Sequence, residues 1–188
     1  MNKDKFVFFD VETTGLFPDK GDRICEIAAI KVFNNKKIGS FETLINPQRA
    51  MPYYAYNVHK ISDDMLDDAP AFSVVADSFV DFLENSILCA YNINFDLGFI
   101  NACLRRCYRP ALSLRTIDVL KMARDLLGLK RYKLFMVAEF LGISNPMCYH
   151  RAMADSFVVW EVFKRLIDAM KLKSVPDADF LVKRYGIN

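Results

Sequence analysis

The sequence has few residues that could bind a soft metal, and it has no long apolar run. It contains two histidines, His59 and His150, and five cysteines in no repeating pattern. A structural zinc site needs a full set of regularly spaced Cys and His ligands, so this shortage argues against zinc. The odd number of cysteines favours reduced thiols in a cytoplasmic protein. No apolar stretch approaches the ~20 residues that span a bilayer, which predicts no membrane partner.

The chain also shows no low-complexity segment, no internal repeat and no dividing linker, which predicts one main domain in 188 residues. We place this domain at residues 1–175 and a C-terminal tail at 176–188, where the apolar cluster 180–182 can dock as a short helix. The net charge is +2 and the pI is about 8.2. This balance neither requires nor excludes a nucleic-acid partner, and any basic surface must be local.

Apolar runs and turn signals predict an α/β fold. The predicted strands are 5–12, 24–33, 37–45, 87–91 and 113–118, and the predicted helices are 72–85, 94–108, 117–127, 132–141 and 151–172. Asn94 is expected to cap the second helix, and residues 53–70 read as a polar connection in which Ser62 caps a short helix. Three strands followed by alternating strands and helices favour a mixed sheet with helices on its faces.

The first strand is the most informative stretch, because its apolar run ends in two carboxylates, Asp10 and Glu12. Side chains alternate along a strand, so both carboxylates point to the same face. Two buried like charges repel each other and lose hydration, and a bound divalent cation is the simplest compensation. The alternative is an acidic strand end that faces solvent.

Three more polar residues lie at boundaries between elements. Asp96 opens a helix after a short strand, where the helix dipole favours a carboxylate and where open α/β sheets place their sites. His150 and Asp155 stand at the start of the helix at 151–172, and a neutral His can take a proton from water. A solvated His and a surface Asp are the alternative. Together with the first two acids, these residues offer ligands for two hard cations and a base.

In their order and spacing, these segments resemble the three motifs of the DEDDh superfamily of 3′–5′ exonucleases. The segments are Asp10-Val-Glu12-Thr-Thr-Gly15, Asn92-x-x-Phe95-Asp96 and His150-x-Ala152-x-x-Asp155. The resemblance runs from about Lys5 to Met170, and within the superfamily it is greatest to epsilon-type proofreading exonucleases of bacterial DNA polymerase III. The family often has His before the Asn of the middle motif, and here the residue is Tyr91. The resemblance implies a ribonuclease H-like fold, with three antiparallel strands and then two parallel ones, flanked by helices.

The resemblance also implies a chemistry for each residue. Asp10, Glu12 and Asp155 would bind one divalent cation, Asp10 would bridge to a second, and Asp96 would hold that second ion, both being Mg²⁺ or Mn²⁺. His150 would deprotonate the attacking water, and a nucleoside 5′-monophosphate would leave the 3′ end. The residues expected to contact the terminal nucleotide are Thr13, Thr14, Leu16, Val58, His59, Asn92 and Phe95.

Three functions remain open at this point. The first is a 3′–5′ exonuclease that acts on single-stranded or frayed 3′ ends of DNA in proofreading or repair, with a DNA polymerase as a candidate partner. The second is an RNA-trimming exonuclease of the same superfamily, because recognition of the 2′-hydroxyl cannot be assigned to one residue. The third is a non-catalytic nucleic-acid-binding or polymerase-docking module. The sequence does not indicate the oligomeric state.

Overall fold

The computed structural model describes residues 4–143, 150–170 and 176–187. Within them, the strands are β1 (Lys5–Thr13), β2 (Ile24–Phe33), β3 (Lys36–Leu44), β4 (Ser86–Ala90) and β5 (Thr116–Asp118). The helices are α1 (Tyr53–His59), α2 (Asp63–Leu66), α3 (Phe72–Leu83), α4 (Ile93–Arg106), α5 (Val119–Leu126), α6 (Leu134–Phe140), α7 (Ala152–Ala169) and α8 (Ala178–Tyr185). A short 3₁₀ turn lies at Pro18–Lys20. None of the described helices is long and apolar enough to cross a membrane.

The five strands form one mixed sheet in the order β3-β2-β1-β4-β5. β1 pairs antiparallel with β2, and β2 pairs antiparallel with β3. β4 runs parallel to β1 on its other side, and β5 runs parallel to β4. This arrangement confirms the predicted fold class and makes β1 the central strand.

Alternation along β1 sends its side chains into two cores, one on each face of the sheet. Phe6 and Phe8 pack with α7, where the rings of Phe8 and Phe163 are 5.3 Å apart. Val7 and Phe9 pack on the opposite face with α3 and α4. Helices cover both faces of the sheet. The polar residues at the C-terminal end of β1 can therefore reach solvent only at that end of the sheet.

The structure differs from the sequence prediction at two connections that flank the site. The region at 53–70, predicted as a polar connection, begins with α1, whose only buried residues are Ala55 and His59. Two buried positions are too few to produce an apolar periodicity. The predicted cap at Asn94 is wrong, because α4 begins at Ile93 and Asn92 occupies the N-cap position with φ 71° and ψ 58°. Asn tolerates this left-handed conformation, which allows a sharp turn from β4 into α4.

The segment after residue 175 contributes to the core on the α7 face. α8 packs against β5 and α5, and its Leu181 and Tyr185 are buried. The hydroxyl of Tyr185 donates to Asp125 at 2.7 Å. The predicted tail therefore lies against the sheet at its β5 edge, far along the sheet from β3.

Candidate metal centre

Three carboxylates converge where β1 ends. Asp10 and Glu12 project from the same face of β1, and Asp155 comes from the first turn of α7, which packs on β1 and β2. One oxygen from each of the three lies within 4.8 Å of the others. Ala152 and Ala154 are both buried, so small side chains at the start of α7 allow this close approach.

Asp96 approaches the same edge from the first turn of α4. Its side chain is buried, and Oδ1 accepts a hydrogen bond from the Val11 amide at 3.2 Å, between the two acids of β1. Asp118 at the end of β5 supports this turn, because its Oδ1 accepts from the Asn92 amide at 3.3 Å. The structure thus brings the fourth predicted acid beside the other three.

Burial and mutual repulsion both oppose ionisation of this cluster. Loss of hydration raises the pKa of Asp10, and the charges of Asp96 and Glu12 raise it further. Burial, followed by the charge of Asp155, raises the pKa of Glu12 from 4.5 to about 8. Burial also raises the pKa of Asp96 and of Asp155. The cluster therefore favours bound protons or a bound cation at neutral pH.

One oxygen in the cluster is left without a donor in the described part of the chain. Asp155 Oδ2 accepts from the His150 amide at 3.1 Å, while Oδ1 is buried and has no hydrogen-bond partner among the described residues. A buried acceptor without a donor costs free energy, and coordination of a cation would remove that cost. Three carboxylates are also the oxygen donors that hard divalent ions prefer. The residues present therefore fit a divalent cation.

One more buried carboxylate lies nearby on β2, and its hydrogen bonds are made within the protein. Glu26 is the direct partner of Glu12 across the antiparallel pair, and its side chain is only 1% exposed. Arg151 donates from Nε and Nη2 to Glu26, the shortest contact being 2.6 Å. The Ala152 amide, at the start of α7, donates to Glu26 at 2.9 Å. These bonds fix the first turn of α7, and with it Asp155, against the sheet.

His150 lies beside the acids in an unusual backbone conformation. Its φ is 64°, in the left-handed region, and its exposed side chain stands directly before α7. The bond from its amide to Asp155 holds the backbone in this turn. The segment that leads to it, 144–149, is outside the described residues. The structure thus brings the backbone of His150 against Asp155, and the role of His150 as a base stays a prediction.

The predicted nucleotide contacts on the turn after β1 fall into two groups. Thr13 and Thr14 are buried and shape the turn: Thr13 donates to the Gly15 carbonyl at 2.6 Å, and Thr14 Oγ1 accepts from the Arg23 amide at 3.0 Å. Leu16 is 67% exposed beyond them. Of this segment, Leu16 is the side chain most available to a ligand.

The predicted contacts on α1 differ in the same way. Val58 is 50% exposed, whereas His59 is buried beneath the surface. His59 Nδ1 accepts from the Ile61 amide at 3.1 Å, and burial lowers its pKa, so the ring is neutral and contacts the fold. The predicted role of His59 in binding the nucleotide stays a prediction.

The two remaining predicted contacts, Asn92 and Phe95, come shortly before Asp96 in the sequence. Asn92 is exposed at the N-cap of α4. Phe95 is half-buried, and its ring lies 5.0 Å from that of Phe99 in the core. Phe95 thus packs partly in the core and stays partly exposed to solvent.

Comparison with known proteins is consistent with this geometry. The model of the RNase T exonuclease family matches residues 7–163. The chain belongs to this exonuclease family. The match covers all four acids and His150, and it confirms both the predicted superfamily and the predicted enzyme class.

Curated relatives of this exonuclease include subunits of bacterial DNA polymerases. The chain is 37% identical over 167 residues to the DNA polymerase III subunit epsilon of Rickettsia conorii, covering 86% of this chain and 73% of that one. It is 36% identical to the PolC-type DNA polymerase III of Thermotoga petrophila, covering 88% of this chain but 12% of that one. The epsilon resemblance predicted from the motifs is therefore confirmed.

Solved structures share the fold of this exonuclease. One is exonuclease X in complex with 5′-overhanging duplex DNA, with a TM-score of 0.73 and 21% identity, covering 95% of this chain and 98% of that chain. Another is E. coli exonuclease I in complex with a dA16 oligonucleotide, with a TM-score of 0.78 and 18% identity, covering 90% of this chain and 42% of that chain. At these identities the likeness concerns the fold.

Proposed function

We propose that this exonuclease is a divalent-metal-dependent enzyme that removes nucleoside 5′-monophosphates from the 3′ ends of DNA, as a proofreading enzyme does. The observation that carries the proposal is the convergence of Asp10, Glu12 and Asp155 within 4.8 Å, with one buried Asp155 oxygen unpartnered among the described residues. The epsilon-type relatives support DNA as the substrate and a polymerase as the partner. The described cysteines are free, which supports the cytoplasm.

The acids would hold two cations, Mg²⁺ or Mn²⁺, in two overlapping sets. Asp10, Glu12 and Asp155 form the first set, and Asp10 with Asp96 forms the second. When bound, such a pair of ions supplies Lewis-acid polarisation of the phosphate and charge neutralisation at the leaving 3′ oxygen. The protein contributes a rigid frame, because three of the acids come from β1 and the first turn of α7.

His150 accepts the proton of the attacking water in this proposal. Its backbone amide donates to Asp155, and its side chain is exposed, so solvent can reach the ring. Replacing His150 with Ala should lower kcat on the order of 10²-fold, the usual loss for a general base. Divalent-cation affinity, measured by the metal-induced shift in melting temperature, should change little. Wild-type kcat in H150A at neutral pH would refute the assignment.

The terminal nucleotide would lie between the turn after β1 and α1. Leu16 and Val58 offer exposed apolar contacts, and Asn92, exposed at the N-cap of α4, can donate to a phosphate or base. The remaining predicted contacts, Thr13, Thr14, His59 and Phe95, would act mainly by supporting these three.

The experiment that tests the function is a parallel digestion of end-labelled substrates of the same sequence. The substrates are single-stranded DNA, duplex DNA with a mismatched 3′ end, and RNA, each incubated with Mg²⁺, Mn²⁺, Ca²⁺ or EDTA. We expect stepwise shortening from the 3′ end of both DNA substrates with Mg²⁺ or Mn²⁺, and little turnover with Ca²⁺, whose coordination is larger and looser. Equal activity in EDTA would refute metal dependence, and faster digestion of RNA would favour the RNA-trimming alternative. Binding without turnover under every condition would favour a non-catalytic module.

A further inference from the structure

Exposed apolar side chains are concentrated beside the proposed nucleotide site. In the described part of the chain, thirteen large hydrophobic residues are exposed, and six of them lie in two short segments next to the turn after β1. These six are Leu16, Phe17, Tyr53, Tyr54, Tyr56 and Val58. Scattered exposed apolar residues are ordinary, but a concentration of them in two segments beside one turn favours a contact surface.

Tyr54 is the member of this group whose ring is both exposed and fixed. Its side chain is 61% exposed, and its hydroxyl donates to the Thr14 carbonyl at 3.1 Å. Thr14 follows β1 directly, so this hydrogen bond connects α1 to the turn that leads away from the carboxylate cluster. A fixed aromatic ring loses little conformational entropy when a ligand stacks on it.

Tyr54 and Val58 lie on one face of α1, because residues four apart are neighbours on a helix. They are separated by one turn, about 6 Å along the helix axis. If Val58 contacts the terminal nucleotide, Tyr54 stands where the next base of a single strand would pass.

The charges around this surface suit an anionic strand. Lys20 Nζ lies 4.7 Å from the ring centroid of Phe17, and Lys60 Nζ lies 5.5 Å from that of Tyr56. The nearby carboxylates of Asp19 and Asp22 pair with Arg105 and Arg49. Aromatic rings interleaved with cations are the combination that proteins use to bind single-stranded nucleic acid.

We propose that Tyr54 is a stacking platform for the base that precedes the terminal nucleotide of a single-stranded 3′ end. The inference rests on the proposed exonuclease function and adds a residue that selects unpaired substrate ends. A base in a duplex is already stacked and paired, so it meets this ring only after the end frays. Tyr54 thereby favours single-stranded and mismatched ends over paired ones.

The test compares two substrates that present the same terminal nucleoside 5′-phosphate and differ in the group that leaves phosphorus. One is a single-stranded oligonucleotide, and the other is the 4-nitrophenyl ester of thymidine 5′-monophosphate, which has no preceding base. Y54A should lose about tenfold more kcat/KM on the oligonucleotide than on the ester, mainly through KM, because stacking on one aromatic ring contributes on this scale. Y54F should retain the oligonucleotide preference. F180A removes an exposed aromatic ring from α8 and serves as the matched control.

A third substrate assigns the effect to one base. An oligonucleotide with an abasic site next to the 3′-terminal nucleotide should lower wild-type kcat/KM by about the same factor as Y54A does, and Y54A should show no further loss on it. The inference would be overturned if Y54A and the abasic site lowered kcat/KM independently, so that their factors multiplied. It would also be overturned if Y54A lost the same factor in kcat/KM on the oligonucleotide and on the ester. If the wild type cleaved neither substrate in Mg²⁺ or Mn²⁺, the proposed function itself would be wrong, so the two failures are distinct.

Discussion

Glu12 on β1 and Glu26 on β2 are direct cross-strand partners, both buried, and they meet different surroundings. Glu26 accepts bonds from the Arg151 guanidinium and from the Ala152 amide. In the described chain no arginine or lysine forms an ion pair with Glu12, and burial together with Asp155 raises its pKa to about 8. Two carboxylates at the same level of the sheet are therefore compensated in different ways.

This difference separates a structural acid from a ligand. The protein supplies a counter-charge to Glu26 and thereby fixes α7 on the sheet. It leaves the charge of Glu12, and one oxygen of Asp155, without a described partner. Uncompensated buried charge lowers the stability of the fold in the absence of metal, and a cation can restore it. The same substitution should consequently have different effects at the two positions.

The largest expected effect is on turnover at Glu12. E12Q removes one ligand charge and should lower kcat on the order of 10³-fold, comparable to other losses of electrostatic stabilisation in active sites. In EDTA it should melt at or above the wild-type temperature, because folding then no longer has to bury this charge or bind a proton in its place. Activity is measured with a single-stranded oligonucleotide in Mg²⁺. A variant with near-normal kcat would remove Glu12 from the metal site.

The next effect in size is the response of stability to metal. At a free Mn²⁺ concentration 100 times Kd, one site should stabilise the wild type by roughly 2.7 kcal/mol. For a domain of this size the melting temperature should rise by several degrees. D155N should melt at or above wild type in EDTA but gain much less from Mn²⁺. An equal gain in both proteins would mean that the carboxylates do not share a site.

E26Q is the matched substitution on β2, and its main effect should be on folding. It removes the charge that pairs with Arg151, a side chain that is 42% exposed, so we expect a loss of about 2 kcal/mol, below the range for fully buried pairs. The loss should be the same with and without Mn²⁺ in denaturant titrations. Activity should fall only about tenfold, because Glu26 positions α7 without binding metal. Equal effects of E26Q and E12Q on kcat would break the comparison.

Counted per pH unit, the smallest effect is a pH dependence of metal-free stability. The pKa of Glu12 is raised from 4.5 to about 8, so the folded state holds this proton more tightly than the unfolded state. The stability that protonated Glu12 contributes in EDTA is thus fully present below pH 4.5 and is lost as the pH rises through 8, by at most about 1.4 kcal/mol per pH unit within this window. E12Q should flatten the decline, and saturating Mn²⁺ should oppose it. A wild-type protein that became more stable across this range would contradict the assignment.

Features that depend on a single strand or helix can be predicted from the sequence. The alternation that puts Asp10 and Glu12 on one face is a property of any strand, and the apolar run around it predicted that β1 is buried. Ser62 was expected to cap a short helix, and its hydroxyl accepts from the Met65 amide in α2. By contrast, α1 was missed because its two buried residues carry too little periodicity, although its exposed side carries the tyrosines.

The partner of Glu26 cannot be predicted from the sequence, for a different reason. Glu26 interrupts an otherwise apolar strand, which signals a buried charge that needs compensation. Its partner, Arg151, is 125 residues away in the sequence and meets it only because α7 packs across β1 and β2. No local pattern specifies which distant cation meets a buried acid.

The sequence by itself determined the order of the five strands, the face on which the two acids of β1 lie, and the family, because periodicity and short motifs are local properties of the chain. The tertiary structure alone decided which carboxylate is paired and which is left for a cation. That decision depends on the distance between side chains on different elements. A difference of a few ångströms decides whether a buried carboxylate lies next to a guanidinium or next to another carboxylate. It also fixed Tyr54 beside Thr14, since only the packing of α1 against the turn after β1 brings these two residues together.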